Sequence, residues 1–89
     1  MKYQRQAKVV ARGVAGENLL IPVHGCTRSV YTLNPTGCCL WDLLEQPRTE
    51  DELADVLVGK YRITPEEARR DVAVFLDDLV RMALAVRQN

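Results

Sequence analysis

Four side chains in this sequence carry the thiol and imidazole groups from which a nucleophile or a metal centre is usually built: His24, Cys26, Cys38 and Cys39. A nucleophilic thiol needs a base within hydrogen-bonding reach and a third group to orient that base. His24 is the only histidine, and it shares with Cys26 the segment His24-Gly25-Cys26-Thr27, which reads as a turn. Two residues of one hairpin turn are commonly exposed and incidental, so the pair does not read as a dyad. Zinc would accept all four donors. Against that, Cys38 and Cys39 are adjacent, so they point from different sides of a helix, and no C-x₂-C spacing occurs. They read instead as compact apolar residues filling small spaces near a helix start. The glycines are scattered and form no phosphate-binding pattern. The sequence therefore predicts no catalytic residue, no metal and no cofactor.

The chemistry left to such a chain is non-covalent binding, and composition narrows it. With 89 residues, 47% hydrophobic and 27% charged, the chain has the balance of one folded domain, taken as 1–89, with a modest core. Twelve basic against twelve acidic residues leave a formal net charge of +0, so no global field draws it to nucleic acid or an anionic membrane. Met1 to Lys8 contain no secretory apolar segment, and the longest apolar runs, such as Leu19 to Val23, fall far short of the ~20 residues a membrane helix needs. With an odd number of cysteines, these features predict a cytoplasmic protein.

Three short apolar or β-branched segments come first, over about 8–12, 19–23 and 28–33. Gly13 to Asn18 and His24 to Thr27 read as the turns between them. Such short connections allow only an antiparallel meander. Pro22 cannot donate to a ladder and belongs near a strand end. Helices follow over about 35–45, 50–60 and 65–82. Asn34-Pro35 offers an N-cap and a preset first residue, Thr49 to Glu52 has the form of a capping box, and Thr64-Pro65-Glu66-Glu67 combines both signals. Leu40, Trp41, Leu43 and Leu44 face inward from the first helix, and Leu53, Val56 and Leu57 from the second, with Lys60 at the rim. The third carries a stripe of Ala68, Val72, Phe75, Leu76, Leu79 and Ala83. The expected fold is α+β and winged-helix-like, an N-terminal three-stranded antiparallel sheet followed by three α-helices. Three strands have two edges and only one face that short helices can cover, so at least one edge should be open.

Residues Leu33-Asn34, the small residues before Leu40-Trp41, Leu43-Leu44, Arg48-Thr49, Leu53, Leu57, Tyr61, Asp71-Val72, Phe75-Leu76 and Leu79 resemble, in order and spacing, the PqqD family. Members in other peptide-maturation systems are called RiPP recognition elements. With Leu19-Leu20 and the turn at Gly25, the resemblance covers roughly residues 7 to 84. It implies a domain that binds the leader of a ribosomally made precursor peptide by strand addition and presents it to a modifying enzyme, often of the radical-SAM type, in the biosynthesis of pyrroloquinoline quinone or a related product. The chain departs from the family at Met82-Ala83-Leu84, where a glycine commonly ends the last helix, and at Gly37-Cys38-Cys39. There Gly37 costs roughly 1 kcal/mol against alanine in a helix interior.

The open edge permits that function on physical grounds, since an added strand gains main-chain bonds while alternate side chains enter pockets. The strand would be Arg28, Ser29, Val30, Tyr31, Thr32 and Leu33, with Ser29, Tyr31 and Leu33 on the buried face. The core stripe of the third helix leaves two flanks, one carrying Arg69, Ala73 and Val80 and the other Asp71, Asp78 and Met82. The first is taken as the groove wall. Val74 reads as an exposed aliphatic or a groove contact, and Arg69, Arg70 and Arg81 as solvated residues or partners for leader acids. The expected partners are a precursor leader and its modifying enzyme, with no nucleic acid and no membrane, and with a monomer or an edge-mediated dimer as the assembly. Two other functions fit the element lengths, a winged-helix DNA-binding module and a structural subunit of an enzyme complex. The acids around Arg69 and Arg70 speak against the first.

Overall fold

Caps on three helices and two small antiparallel sheets organise the chain in a computed structural model that describes residues 1–7, 9–22 and 30–88. In chain order the elements are β1 (Lys2–Arg5), β2 (Val9–Val14), β3 (Glu17–Pro22), β4 (Tyr31–Leu33), α1 (Pro35–Leu43), α2 (Glu50–Lys60), α3 (Pro65–Arg81) and β5 (Ala85–Gln88). Each cap read in the sequence is made. Asn34 accepts from the Gly37 amide at 2.7 Å, and Thr64 accepts from the Glu67 amide at 3.1 Å. Thr49 and Glu52 exchange both bonds of a capping box, at 3.1 and 2.9 Å. Accepting from the Thr49 amide holds the Glu52 carboxyl below its usual range.

The three expected strands form one antiparallel sheet in the order β2-β3-β4. The first connection is tighter than the sequence implied. Val14 pairs with Glu17, leaving Ala15 and Gly16 as a two-residue turn with φ of 52° and 82°. Positive φ at both places is what a hairpin turn that follows strand twist demands. The expected turn His24 to Thr27, with Lys8, Val23, Arg28 and Ser29, lies outside the described residues.

The core joins Leu20 and Leu33 of the sheet to Leu40, Trp41 and Leu44, Leu53 and Leu57, and Val72, Phe75, Leu76 and Leu79. Two expected core positions are corrected. Val56 is 36% exposed, and Ala54, at 3%, is buried in its place. Ala83 is exposed because α3 ends before it, at Arg81.

The end of α3 explains how the chain stops without the family's glycine. Ala83 stands at φ 58°, its amide bonds to the Val80 carbonyl at 3.1 Å, and the Leu84 amide reaches back to Leu79 at 2.8 Å. This is a Schellman motif, completed by burial of both Leu79 and Leu84. An L-residue in the left-handed region costs about 1–2 kcal/mol, and the motif holds it there. Ala83→Gly is therefore expected to raise unfolding stability by about 1 kcal/mol, read as a higher denaturant midpoint at unchanged m-value.

A second sheet, β1 with β5, was not foreseen. Lys2-Tyr3-Gln4-Arg5 and Ala85-Val86-Arg87-Gln88 are short and largely polar, so neither shows the alternation that marks a strand. What orders them is tertiary. Tyr3 and Arg48 exchange backbone bonds of 2.7 and 2.9 Å, Arg5 donates to the Leu44 carbonyl at 3.0 Å, and Gln6 donates to Leu84 at 2.9 Å. Tyr3 is 7% exposed, and its hydroxyl donates to Glu50 Oε1 at 3.1 Å. Burial, then the bond to Glu50, raises its pKa. The folded-state value thus lies above the unfolded one, near 10, so the neutral hydroxyl's contribution is whole below about pH 10 and is lost as pH rises through the folded value. Tyr3→Phe should flatten the alkaline decline of stability above about pH 10, as followed by denaturant unfolding across that range.

Candidate functional site

β4 is three residues long and lies at a sheet edge. Its inner side pairs with β3, Tyr31 facing Leu20, Thr32 facing Leu19 and Leu33 facing Asn18. Among the described residues no strand pairs with its outer side. The alternation follows the expected parity. Leu33 is 6% exposed and Tyr31 half-buried, while Thr32 is exposed and Val30, just before the strand, is 47% exposed.

Tyr31 turns inward onto Phe75 of α3, the rings edge to face with centroids 6.1 Å apart. Burial and then the nearby Asp78 carboxylate raise the Tyr31 pKa, keeping the phenol neutral. Beside this pair lies an open cleft of about 340 Å³, between the start of α1 and the outer flank of α3. Tyr31, Leu40, Val74 and Phe75 make its apolar lining, and Asn34, Thr36, Gly37, Arg70 and Asp71 complete it. Val74 is 58% exposed, an aliphatic side chain on the cleft wall with no core to enter.

Of the two flanks of α3, the one facing β4 carries Asp71 and Asp78, not Arg69, Ala73 and Val80. Arg69 is turned toward α2, where its Nε is 3.8 Å from Asp51 Oδ1. Ala73 is exposed and Val80 packs half-buried against the core, and neither lines the cleft. The choice of flank is set by α2, which packs along α3 and takes the Arg69 side. The sequence held one clue to this, Val74, an apolar residue among charges with no place in the core stripe. Of the expected strand positions, Tyr31 lines the cleft, Leu33 enters the core, Val30 and Thr32 face solvent, and Arg28 and Ser29 lie outside the described residues.

Among the described residues, nothing lining the cleft resembles a reaction centre. Its ionisable groups, Arg70, Asp71 and the phenol of Tyr31, include no nucleophile with a base beside it. Cys38 and Cys39 are half-buried free thiols, the first packed against the core and the second 3.8 Å from Lys60 Nζ. Among the described residues no group of three metal-ligating side chains converges. His24 and Cys26 lie outside those residues.

Gly37 is what lets α1, β4 and α3 meet. A Cβ there would stand 3.1 Å from Asn34 Oδ1 and 3.2 Å from both Leu33 Cδ2 and Phe75 Cε1. The helix-propensity cost read in the sequence is the cost of this close approach. Gly37→Ala gains about 1 kcal/mol of propensity, but crowding a packed core costs about 1–3 kcal/mol. A net loss of about 1 kcal/mol is expected in denaturant unfolding, together with shifted Tyr31 and Phe75 ring resonances. A gain would show that Phe75 yields freely.

Comparison with known proteins agrees with this geometry. The family model for Coenzyme PQQ synthesis protein D (PqqD) matches residues 19–84, most of the chain. No curated protein matches. Among solved structures, that of TbiB1 in complex with the TbiA(beta) leader peptide superposes with a TM-score of 0.79 at 23% identity, covering 97% of this chain and 98% of that one. Lasso peptide synthetase B1 complexed with the leader peptide superposes with a TM-score of 0.77 at 17% identity, covering 98% of this chain and 100% of that one. At such identities the likeness is one of fold. The chain belongs to the PqqD family.

Proposed function

We propose that this PqqD-family chain binds the leader segment of a ribosomally made precursor peptide along the outer side of β4 and presents it to a modifying enzyme. The observation that carries the reading is the edge of β4, without a partner strand among the described residues, lying directly beside the cleft of α3. An extended peptide gains main-chain bonds from the edge, while every second side chain drops into the cleft. Both structural neighbours are described as complexes with leader peptides, and their folds cover nearly the whole of this chain. The revised contact set is Val30, Tyr31 and Thr32 on the strand side and Arg70, Asp71, Val74 and Phe75 on the helix side.

The domain's contribution is then concentration and orientation, not catalysis. A captured precursor held close to an enzyme by a short tether experiences a local concentration in about the mM range. The recipient is a peptide-maturing enzyme, of the radical-SAM class if the family resemblance extends to the partner. The setting proposed is cytoplasmic. It is supported by half-buried thiols left free at Cys38 and Cys39, and no described helix is long and apolar enough to cross a membrane.

Titration with the cognate leader is expected to shift the amide signals of Val30 to Leu33 and of Arg70 to Asp78. Val74→Asp should weaken binding about tenfold and leave stability within about 0.5 kcal/mol, because the side chain is exposed. Unmoved amides at saturating peptide would sink the proposal.

A further inference from the structure

The sheet has a second edge. Its strand order, β2-β3-β4, puts β2 on the far side from β4, and among the described residues no strand pairs with the outer side of β2. β2 is the longer edge, six residues against three. Edges are ordinarily blunted by proline, a bulge or several charges. β2 has none of these: its register against β3 is unbroken from Val9 to Val14, and Arg12 is its one charged residue.

The hairpin fixes which groups this edge offers. A two-residue turn closes on a hydrogen-bonded pair, here Val14 and Glu17, and such pairs alternate along an antiparallel ladder. Val14, Arg12 and Val10 therefore direct their main-chain groups to β3, while Gly13, Ala11 and Val9 turn theirs outward. Those last three share the core-side face, because Ala11 lies opposite the buried Leu20. Ala11 and Gly13 are exposed there, beside an open cleft of about 240 Å³ whose lining includes Leu33, Cys38 and Trp41. Nothing within the chain demands a glycine at this place. An added Cβ would meet Asn18 Oδ1 at 3.8 Å and the Glu17 carbonyl at 3.9 Å, both ordinary contacts, and Gly13 is not left-handed. Glycine inside a strand weakens it, and often marks a site where another backbone approaches closely.

We infer that this other backbone is the β2 of a second copy, and that two chains join there into one antiparallel sheet of order β4-β3-β2-β2-β3-β4. A two-fold axis at Ala11 pairs outward groups with outward groups, Ala11 with Ala11 and Val9 with Gly13 in both directions. Val9 of each copy then covers the bare Gly13 of the other. On the opposite face Val10, 36% exposed, meets Arg12 of the second copy, whose methylene stem covers it. Charge selects this register. Sliding one copy by two residues sets Arg12 opposite its own twin, and sliding it the other way leaves Arg12 and Gly13 beyond the end of the facing β2. A formal net charge of +0 lets two copies meet without a repelling field. Both β4 edges stand at the outside of the joined sheet, roughly 24 Å apart, and stay open to peptide.

Sedimentation equilibrium of the whole chain from about 1 μM to about 1 mM tests this, with the mass expected to rise from 10.1 kDa toward twice that value. Amide exchange at the two ends of the range should show Ala11 and Gly13 slowed in the dimer, with Val10 and Arg12, bonded to β3 throughout, unchanged. Substitution of Val10 reads the register. Val10→Glu sets a carboxylate opposite Arg12 in both halves and Val10→Lys sets an ammonium there, so the first variant is expected to dimerise about tenfold more tightly than the second. The same two changes at Val56, equally exposed but on α2, should leave dimerisation unaltered. A single 10.1 kDa species at about 1 mM overturns the inference and leaves the edge to a different partner. So does a dimer in which Ala11 and Gly13 exchange as fast as in the monomer, in which the two Val10 variants are equal or reversed, or in which the Val56 variants act alike. A monomer that still captures leader rejects self-association alone, and a dimer that ignores leader rejects the peptide-binding reading alone.

Discussion

The contact of Phe75 with Gly37 and Tyr31 is the constraint on which the site depends. Phe75 is 8% exposed, with its Cε1 edge toward the missing Cβ of Gly37 and its ring edge to face with that of Tyr31. That single side chain therefore touches β4, the first turn of α1 and, through its own backbone, α3. Moving it would open or close the cleft, because the cleft wall is made of its neighbours Arg70, Asp71 and Val74. The close approach needs a residue without a side chain at Gly37, and Asn34 caps α1 on that same amide at 2.7 Å. Cap, glycine and aromatic ring thus act as one unit.

The termini close the opposite part of the molecule. β1 and β5 pair with each other, β1 also bonds to Arg48 and Leu44 behind α1, and the Arg5 guanidinium lies 5.4 Å from the Trp41 ring centroid. In this way the carbonyls at the end of α1 and the chain after α3 find partners without another strand being laid on β4. Backbone groups near the helix ends are satisfied by the termini, and among the described residues no strand takes up the outer edge of β4.

Much of this was legible in the sequence because helix starts are written in local chemistry. Asn34, Thr49 and Thr64 needed no tertiary information to be read as caps, and the stripe of Ala68, Val72, Phe75, Leu76 and Leu79 is a property of one helix alone. The parity of Tyr31 and Leu33 followed likewise from strand geometry and the position of α1. Properties of pairs of elements were not legible. The flank of α3 that meets β4 depends on where α2 packs, which Arg69 and Asp51 reveal only when brought together. β1 and β5 have strand character only in each other's presence. Gly37 read as a local cost because its benefit lies in Phe75, 38 positions along the chain.

Ala83 and Gly37 are opposite answers to one problem. At Gly37 the fold requires close approach, which no other residue supplies, and the sequence accepts a poor helix former. At Ala83 the fold requires a left-handed backbone, which glycine adopts freely, and the sequence keeps alanine. The difference lies in what surrounds each residue. Around Gly37 three side chains stand within 3.2 Å of any added methyl, so a substitution must move the site itself. Ala83 is exposed, and its strain is carried by the two back-bonds and by burial of Leu79 and Leu84. Strain is tolerable at a helix end that the core over-determines, and far less so beneath a binding cleft whose shape is its function.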